Sequence, residues 1–303
     1  MGLGLERLTD RVFYWPGGVN LGIILGDHEQ AMMVDTGLDA TNAKKAVKEL
    51  ESLGRRLTAV INTHSHADHC GGNAEIARRT GAGIYTTSVE RAFVEHPFLE
   101  PWALYGSAYP PPTLQTRFLL AAPSGVTGLL RAGPLREQGL AGFPGVTVVD
   151  LPGHSPGQVG VSCDGVLFCG DAYFSGEVLA KHRVPFFPDI DRTVATWDSL
   201  EQRAETWFVP GHGTITGDIR GALAPGREHL ETVAGLVFEV LAEPQSEEEV
   251  LWMVTRALGV EITNDPQYYL DRAAMGAYLS RLAHQGRVEV DFGKGRRLWR
   301  RIV

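Results

Sequence analysis

Thr63-His64-Ser65-His66-Ala67-Asp68-His69-Cys70-Gly71-Gly72 places three imidazoles and one carboxylate within six residues, directly after the β-rich run from Leu57 to Asn62. With 10 His in 303 residues, an H-x-H-x-D-H match arises by chance in about one such sequence in two thousand. Imidazole and carboxylate together suit zinc, iron or manganese, and a loop leaving a strand lets alternate side chains diverge toward two neighbouring ions. The spacing therefore points to two metals. Three further positions repeat the context, a ligand type beside glycine just beyond a β-rich run: His154 in Leu151-Pro152-Gly153-His154, Asp171 in Phe168-Cys169-Gly170-Asp171, and His212 in Val209-Pro210-Gly211-His212-Gly213. Each alone is an ordinary turn, whereas in series they describe loops gathered at one sheet edge. Asp35, in Val34-Asp35-Thr36-Gly37, reads by itself as a polar turn before the helix that opens at Thr41.

Outward from this stretch, strands are expected at Val12 to Trp15, Leu21 to Leu25, Ala31 to Val34 and Leu57 to Asn62. A helix from Thr41 to Leu53 lies between them, with Ala43, Ala46, Val47 and Leu50 at helical spacing and Gly54 as its stop. A second β-rich block covers Val146 to Leu151, Val159 to Ser162 and Val166 to Cys169, followed by a helix near Arg192 to Ala204 and a strand at Trp207 to Val209. Two strand blocks separated by helices suggest an α/β protein with two sheets face to face and helices outside. Residues 96–142, with Pro110-Pro111-Pro112 and scattered aromatics, fit no period and read as an irregular insertion. From Pro225 the pattern changes, and the boundaries expected are 1–225 for the catalytic domain, 226–242 for a connecting helix and 243–303 for a small winged-helix-like domain. Within the last, Ser246 and Glu249 form a capping box, Leu270, Ala274, Tyr278 and Leu282 share a helix face, and Val288, Val290 and Phe292 alternate into the turn Gly293-Lys294-Gly295.

The composition is that of a folded chain, 44% hydrophobic and 21% charged, which excludes collagen-like and disordered classes. A net charge of −8 argues against chain-wide attraction to nucleic acid or anionic membranes. No apolar run reaches a membrane span and the amino terminus lacks a targeting pattern, with Glu6 misplaced for lipidation of Gly2, so the cytoplasm is expected. Cys70, Cys163 and Cys169 form no C-x-x-C pair and read as reduced, buried thiols. No internal repeats are present.

On these motifs residues 1–225 resemble a metallo-β-lactamase superfamily hydrolase, with glyoxalase II-like and lactonase-like features. The resemblance implies an αββα four-layer sandwich with a dinuclear site at one edge. By position, His64, His66 and His154 would hold one metal, Asp68, His69 and His212 the other, and Asp171 would bridge both, while Asp35 matches a superfamily motif whose acidic residue orients a ligand and does not bind metal. Asp171 points away from true β-lactamases, which generally lack that carboxylate. Glyoxalase II enzymes keep the same seven ligands but grip glutathione with basic residues of a helical carboxyl-terminal region, and a winged-helix-like tail departs from that pattern.

Two divalent ions, zinc ahead of iron or manganese, would clamp a bridging hydroxide for attack on a small acyl substrate such as a thioester or lactone, with Asp68 passing a proton to the leaving group. Ser65, Ser155 and Cys70 read as packing residues, not nucleophiles. Tyr173 is a candidate oxyanion donor, and His182, Phe186 and Phe187 are candidate pocket residues in a segment overhanging the site. A competing reading is a metal-dependent endoribonuclease, because residues 281–303 carry seven Lys or Arg, namely Arg281, Arg287, Lys294, Arg296, Arg297, Arg300 and Arg301, against two acids. Residues 243–280 offset this with seven acids against two Arg, so internal pairing and a structural tail are expected. A third reading, iron-dependent oxidation of a sulfur substrate, uses only part of the ligand set. The expected partner is a small molecule, with RNA as its competitor, and a homo-oligomer stays open.

Overall fold

The computed structural model describes residues 4–293 and 295–302. Met1 to Leu3, Lys294 and Val303 lie outside the described residues, and with them the reading of Gly2 and one cation of the tail. The first half runs β1 (Glu6–Arg7), β2 (Val12–Trp15), β3 (Leu21–Leu25), β4 (Gln30–Val34), α1 (Thr41–Ser52), β5 (Arg56–Ile61), α2 (Ala67–Cys70), α3 (Asn73–Thr80), β6 (Gly83–Thr87), α4 (Ser88–Glu95), α5 (Leu99–Leu104) and β7 (Gly128–Leu130). The second half runs β8 (Gly133–Pro134), β9 (Thr147–Asp150), β10 (Val159–Cys163), β11 (Val166–Gly170), α6 (Gly176–Lys181), α7 (Ile190–Leu200) and β12 (Trp207–Pro210). It continues through α8 (Ile219–Val240), α9 (Glu247–Ala257), α10 (Asp265–His284), β13 (Val288–Gly293) and β14 (Arg296–Arg301).

β1 to β7 form one sheet in chain order, antiparallel up to β4 and parallel from β4 to β7. β12-β11-β10-β9-β8 form the second, in which only β11 and β12 are parallel. The sheets pack through Ile24, Met32, Val34 and Ile61 on one side and Val148, Val161, Phe168 and Val209 on the other. Outside the first sheet, α1 buries Ala43, Ala46, Val47 and Leu50 against Leu21, Ile23, Met33 and Leu57. β3 and β11 are consequently buried on both faces, which explains why they read as unbroken apolar runs without alternation. This is the four-layer α/β arrangement expected.

Two expectations need correction. Residues 96–142 are not a pure insertion, since they supply β7 and β8, the strands by which the chain passes from one sheet to the other. Strands of three and two residues are too short to show a period, so they vanish among the prolines. The boundary read at Pro225 falls inside a single helix, α8, which starts at Ile219 and is capped by the Asp218 side chain accepting from Gly221 N at 3.0 Å. A proline in the second turn forfeits one backbone bond without ending a helix that packing holds. Leu223, Leu230, Val233 and Val237 of α8 belong to the same apolar cluster as Leu167 and Phe208 of the sheet and Val250, Met275 and Trp299 of the tail. The carboxyl-terminal region thus shares its core with the sandwich.

The tail follows the order helix, helix, hairpin, with the Ser246–Glu249 capping box formed at α9. Gln245 adds a bridge to Trp299 on the hairpin. Among the described residues no helix is long and apolar enough to cross a membrane.

Candidate metal centre

The loops that follow β5, β9, β11 and β12 meet at one edge of the sandwich. Within the second sheet β9, β11 and β12 run in the same sense, as parallel or alternate antiparallel neighbours must. The loop after β5 ends in α2, with His66 at its amino-terminal cap position. His64, His66 and His154 come together, and so do Asp68, His69 and His212, with Asp171 between them. His66 Nδ1 lies 3.1 Å from His64 Nε2 and 2.9 Å from His154 Nε2, so three nitrogens converge on one point. Asp171 Oδ1 faces His69 Nε2 at 3.3 Å, and its Oδ2 faces His154 Nε2 at 3.6 Å and His212 Nε2 at 3.4 Å. Asp68 Oδ2 is 3.1 Å from His212 Nε2.

The ring nitrogens that face away are held. His69 Nδ1 donates to Asp35 Oδ2 at 2.8 Å, His154 Nδ1 to the Phe186 carbonyl at 2.8 Å and His212 Nδ1 to the Gly18 carbonyl at 2.6 Å. Such bonds fix the tautomer and leave each Nε2 lone pair pointing into the cluster. Asp35 also accepts from Thr63 N and Oγ1, each at 2.8 Å, so it orients His69 and anchors the loop from a position outside the cluster. Burial, then the neighbouring imidazoles, drive His64 well below its ordinary pKa and His154 down to about 4, so both rings are neutral donors. Burial would raise the Asp171 carboxyl, but His212 and His69 outweigh it and hold the group well below the carboxylate range. His69 Nε2 and Asp171 Oδ1 are buried with no hydrogen-bond partner. Against the effect of burial, Asp171 and Asp35 raise His69 well above the ordinary imidazole value and Asp171 raises His212, so these carboxylates favour positive charge at the cluster. Orphaned atoms beside the neutral His64 and His154 and the ionised Asp171 fit divalent cations.

Two residues that the sequence reading missed complete the frame. Glu90 of α4 is 1% exposed, and its Oε2 accepts from Ser65 N at 3.0 Å and Ser65 Oγ at 2.6 Å. Its Oε1 accepts from Gly157 N at 2.8 Å and from Ser155 Oγ. One carboxylate therefore ties the loop of His64 and His66 to the loop of His154. A lone Glu on a helix offers no sequence signal for this, because the partners lie 25 and 65 residues away. Gly211 is the second, since a Cβ there would stand 2.1 Å from Asp171 Oδ1 and 2.6 Å from His69 Cε1. Only a residue without a side chain lets β12 approach the cluster.

A cavity of about 780 Å³ opens over the site, with His66, His154, Asp171 and His212 on its floor. Phe186 and His182 line it, joined by Phe174 and Glu100. Tyr173 and Phe187 do not. Tyr173 is buried in the core with its hydroxyl unpartnered, and Phe187 packs between Phe174 and Trp197. Consecutive side chains turn opposite ways, so Phe174 and Phe186 face the cavity while Tyr173 and Phe187 face the helices. The far wall is Asn264, Gln267, Leu270 and Asp271 of the carboxyl-terminal region, which is not remote from the site.

The metallo-β-lactamase superfamily model matches residues 14–212. The chain belongs to the metallo-β-lactamase superfamily. It is a hydrolase of that family, and membership implies a dinuclear metal site. This superfamily member is 24% identical over 231 residues to a hydroxyacylglutathione hydrolase of Methylococcus capsulatus, covering 71% of this chain and 78% of that one. It is 26% identical over 255 residues to one of Methylobacterium nodulans, covering 82% of each. Other proteins of that name match over less than half of their own length, such as that of Alkalilimnicola ehrlichii at 43% coverage. Among solved structures, a metallo-β-lactamase family protein from Thermus thermophilus superposes with a TM-score of 0.69 at 19% identity, covering 99% of both chains. A β-lactamase domain protein from Burkholderia ambifaria gives 0.71 at 20% identity, covering 98% of this chain and 93% of that one. These structures share the fold over nearly the whole chain, tail included.

Proposed function

We propose that this protein hydrolyses a small acyl thioester or lactone at two divalent metal ions, zinc ahead of iron or manganese. The observation that carries the reading is the complete set of seven donors with Asp171 between the two groups, each of its oxygens turned to a different set of imidazoles. His64, His66 and His154 would hold one ion, Asp68, His69 and His212 the other. Bound there, two ions supply a Lewis acid for the carbonyl oxygen and an activated water at neutral pH. The chain's part is to fix the donors through Asp35, Glu90 and the Phe186 carbonyl, and to exclude bulk water with Phe174 and Phe186. Asp68 stands at the cavity surface beside His212, where it can take and return a proton at the leaving group.

Hydroxyacylglutathione hydrolase is the name borne by the relatives above, which favours a thioester. The RNA reading is disfavoured by pairing in the tail. Arg296 meets Glu249 at 2.8 Å, Arg300 meets Glu289 at 2.7 Å, and Arg287 and Arg301 lie over the Phe238 ring. Elemental analysis of metal-replete protein, with a panel of thioester, lactone, phosphodiester and RNA substrates, tests the proposal. Two ions per chain and chelator-sensitive acyl hydrolysis are expected. One ion with all seven donors intact, or turnover of RNA alone, would overturn it.

A further inference from the structure

The carboxyl-terminal region brings one group to the cavity that the metal chemistry does not use. Asp271, in the middle of α10, lines the cavity at 7% exposure, and its Oδ2 is buried without a hydrogen-bond partner. Its polar neighbours on the same wall are already engaged at the start of the helix. Asn264 Oδ1 accepts from Gln267 N at 3.0 Å, Gln267 Oε1 accepts from Thr263 N at 3.3 Å, and Gln267 Nε2 donates to the Glu261 carbonyl at 3.2 Å. The wall is held in place by Tyr105, whose ring packs 5.4 Å from that of Tyr269, and by Thr113, which donates to Asp265.

A buried carboxylate with a bare oxygen is costly unless a donor meets it, and a cation restores more than a neutral donor does. Burial pushes the Asp271 carboxyl up to about 6, opposed by Gln267, and among the described residues it forms no ion pair. The cavity's cations Lys181 and Arg183 come from the last turn of α6 and the segment after it, and Arg183 is engaged with the Leu258 carbonyl at 2.8 Å.

We propose that Asp271 is a specificity-determining residue that receives an ammonium group of the substrate, on the part of the molecule that lies against α10. The inference rests on the hydrolase reading for the word substrate, but the binding site itself does not. A small acyl compound carrying an amine is selected over one ending in a methyl group, because only the amine satisfies the stranded oxygen.

Two measurements separate the site from the chemistry. Binding of n-hexylammonium and of n-hexanol to metal-replete protein is followed by calorimetry at neutral pH, in the wild type and in Asp271→Asn. The ammonium is expected to bind roughly 10- to 100-fold more tightly than the alcohol in the wild type, and the preference to collapse in the variant. Equal binding of both, or a preference that survives in Asp271→Asn, would overturn the proposal. With metal-loaded enzyme, the ratio of kcat/KM for thioesters ending in ammonium and in methyl should fall by a similar factor in Asp271→Asn and in Asp271→Leu. An unchanged ratio in both variants refutes the assignment. Absence of hydrolysis of both esters in the wild type, with ammonium binding intact, retains the Asp271 site and refutes the hydrolase reading instead.

Discussion

Removing the Glu90 carboxylate should unlock two loops at once. Glu90→Ala leaves the Ser65 and Gly157 backbone N–H groups without their acceptor, together with the hydroxyls of Ser65 and Ser155. Hydroxyls can rotate to another partner, whereas a backbone N–H held in a turn cannot. Each stranded buried donor costs about 1–3 kcal/mol, so two give a loss of about 4 kcal/mol. Glu90→Gln keeps one oxygen for one loop and turns an amide NH₂ toward the donors of the other, and should lose about half as much. At roughly 2 °C per kcal/mol for a chain of this size, the melting temperature falls by about 8 °C and about 4 °C respectively. The tied loops carry His64, His66 and His154, so affinity at that triad should also drop by about 10- to 100-fold, as when a residue supporting a ligand is lost. Urea unfolding of metal-free protein gives the first quantity, and competition with a chelator gives the second. A loss below about 1 kcal/mol in both variants would show that the carboxylate does not tie the loops, and the reasoning from stranded donors would fail.

Gly211→Ala should keep the fold but lose metal and at least a hundred-fold in turnover, because its Cβ would fall 2.1 Å from Asp171 Oδ1; metal content near that of the wild type would contradict this. Asp35 has a φ of 60°, a conformation that Asn tolerates, so Asp35→Asn isolates the bond to His69 and should weaken metal binding by about 10- to 100-fold, as read by chelator competition. Since the Asp271 carboxyl is raised to about 6 in the fold from an ordinary value near 4, its contribution to stability is present below pH 4 and is lost as pH rises through 6. Asp271→Asn should therefore be more stable than the wild type by up to about 3 kcal/mol at pH 7.5, and the gap should close toward pH 4; an equal gap at both, in urea titrations, refutes the assignment. Charge reversal at Arg296 and Arg297, whose half-buried partners are Glu249 and Glu247, should change stability by less than about 1 kcal/mol per pair and leave thioester turnover within two-fold, and a larger loss of turnover would place the hairpin in the reaction.

The sequence alone determined the elements whose period survives in one dimension and the donors that sit beside glycine after a strand. β2 and β3 and the burial pattern of α1 emerge with the bounds expected, because each is long enough to show its spacing and each stop is a turn residue. The H-x-H-x-D-H stretch is legible for the same reason, being one contiguous loop whose chemistry needs no knowledge of the fold. Tertiary structure decided what depends on distant partners. Glu90 gains its meaning from Ser65 and Ser155, Asp171 its central place from the meeting of four loops, and Tyr173 its exclusion from the cavity from the way its neighbours pack. The strongest instance is α10, where the sequence showed one apolar face, Leu270, Ala274, Tyr278 and Leu282, and gave Asp271 no role. Packing of α8, α9 and α10 into one core with the second sheet instead turns Asp271 toward the metal cluster's cavity, and no local pattern encodes a contact made across that core.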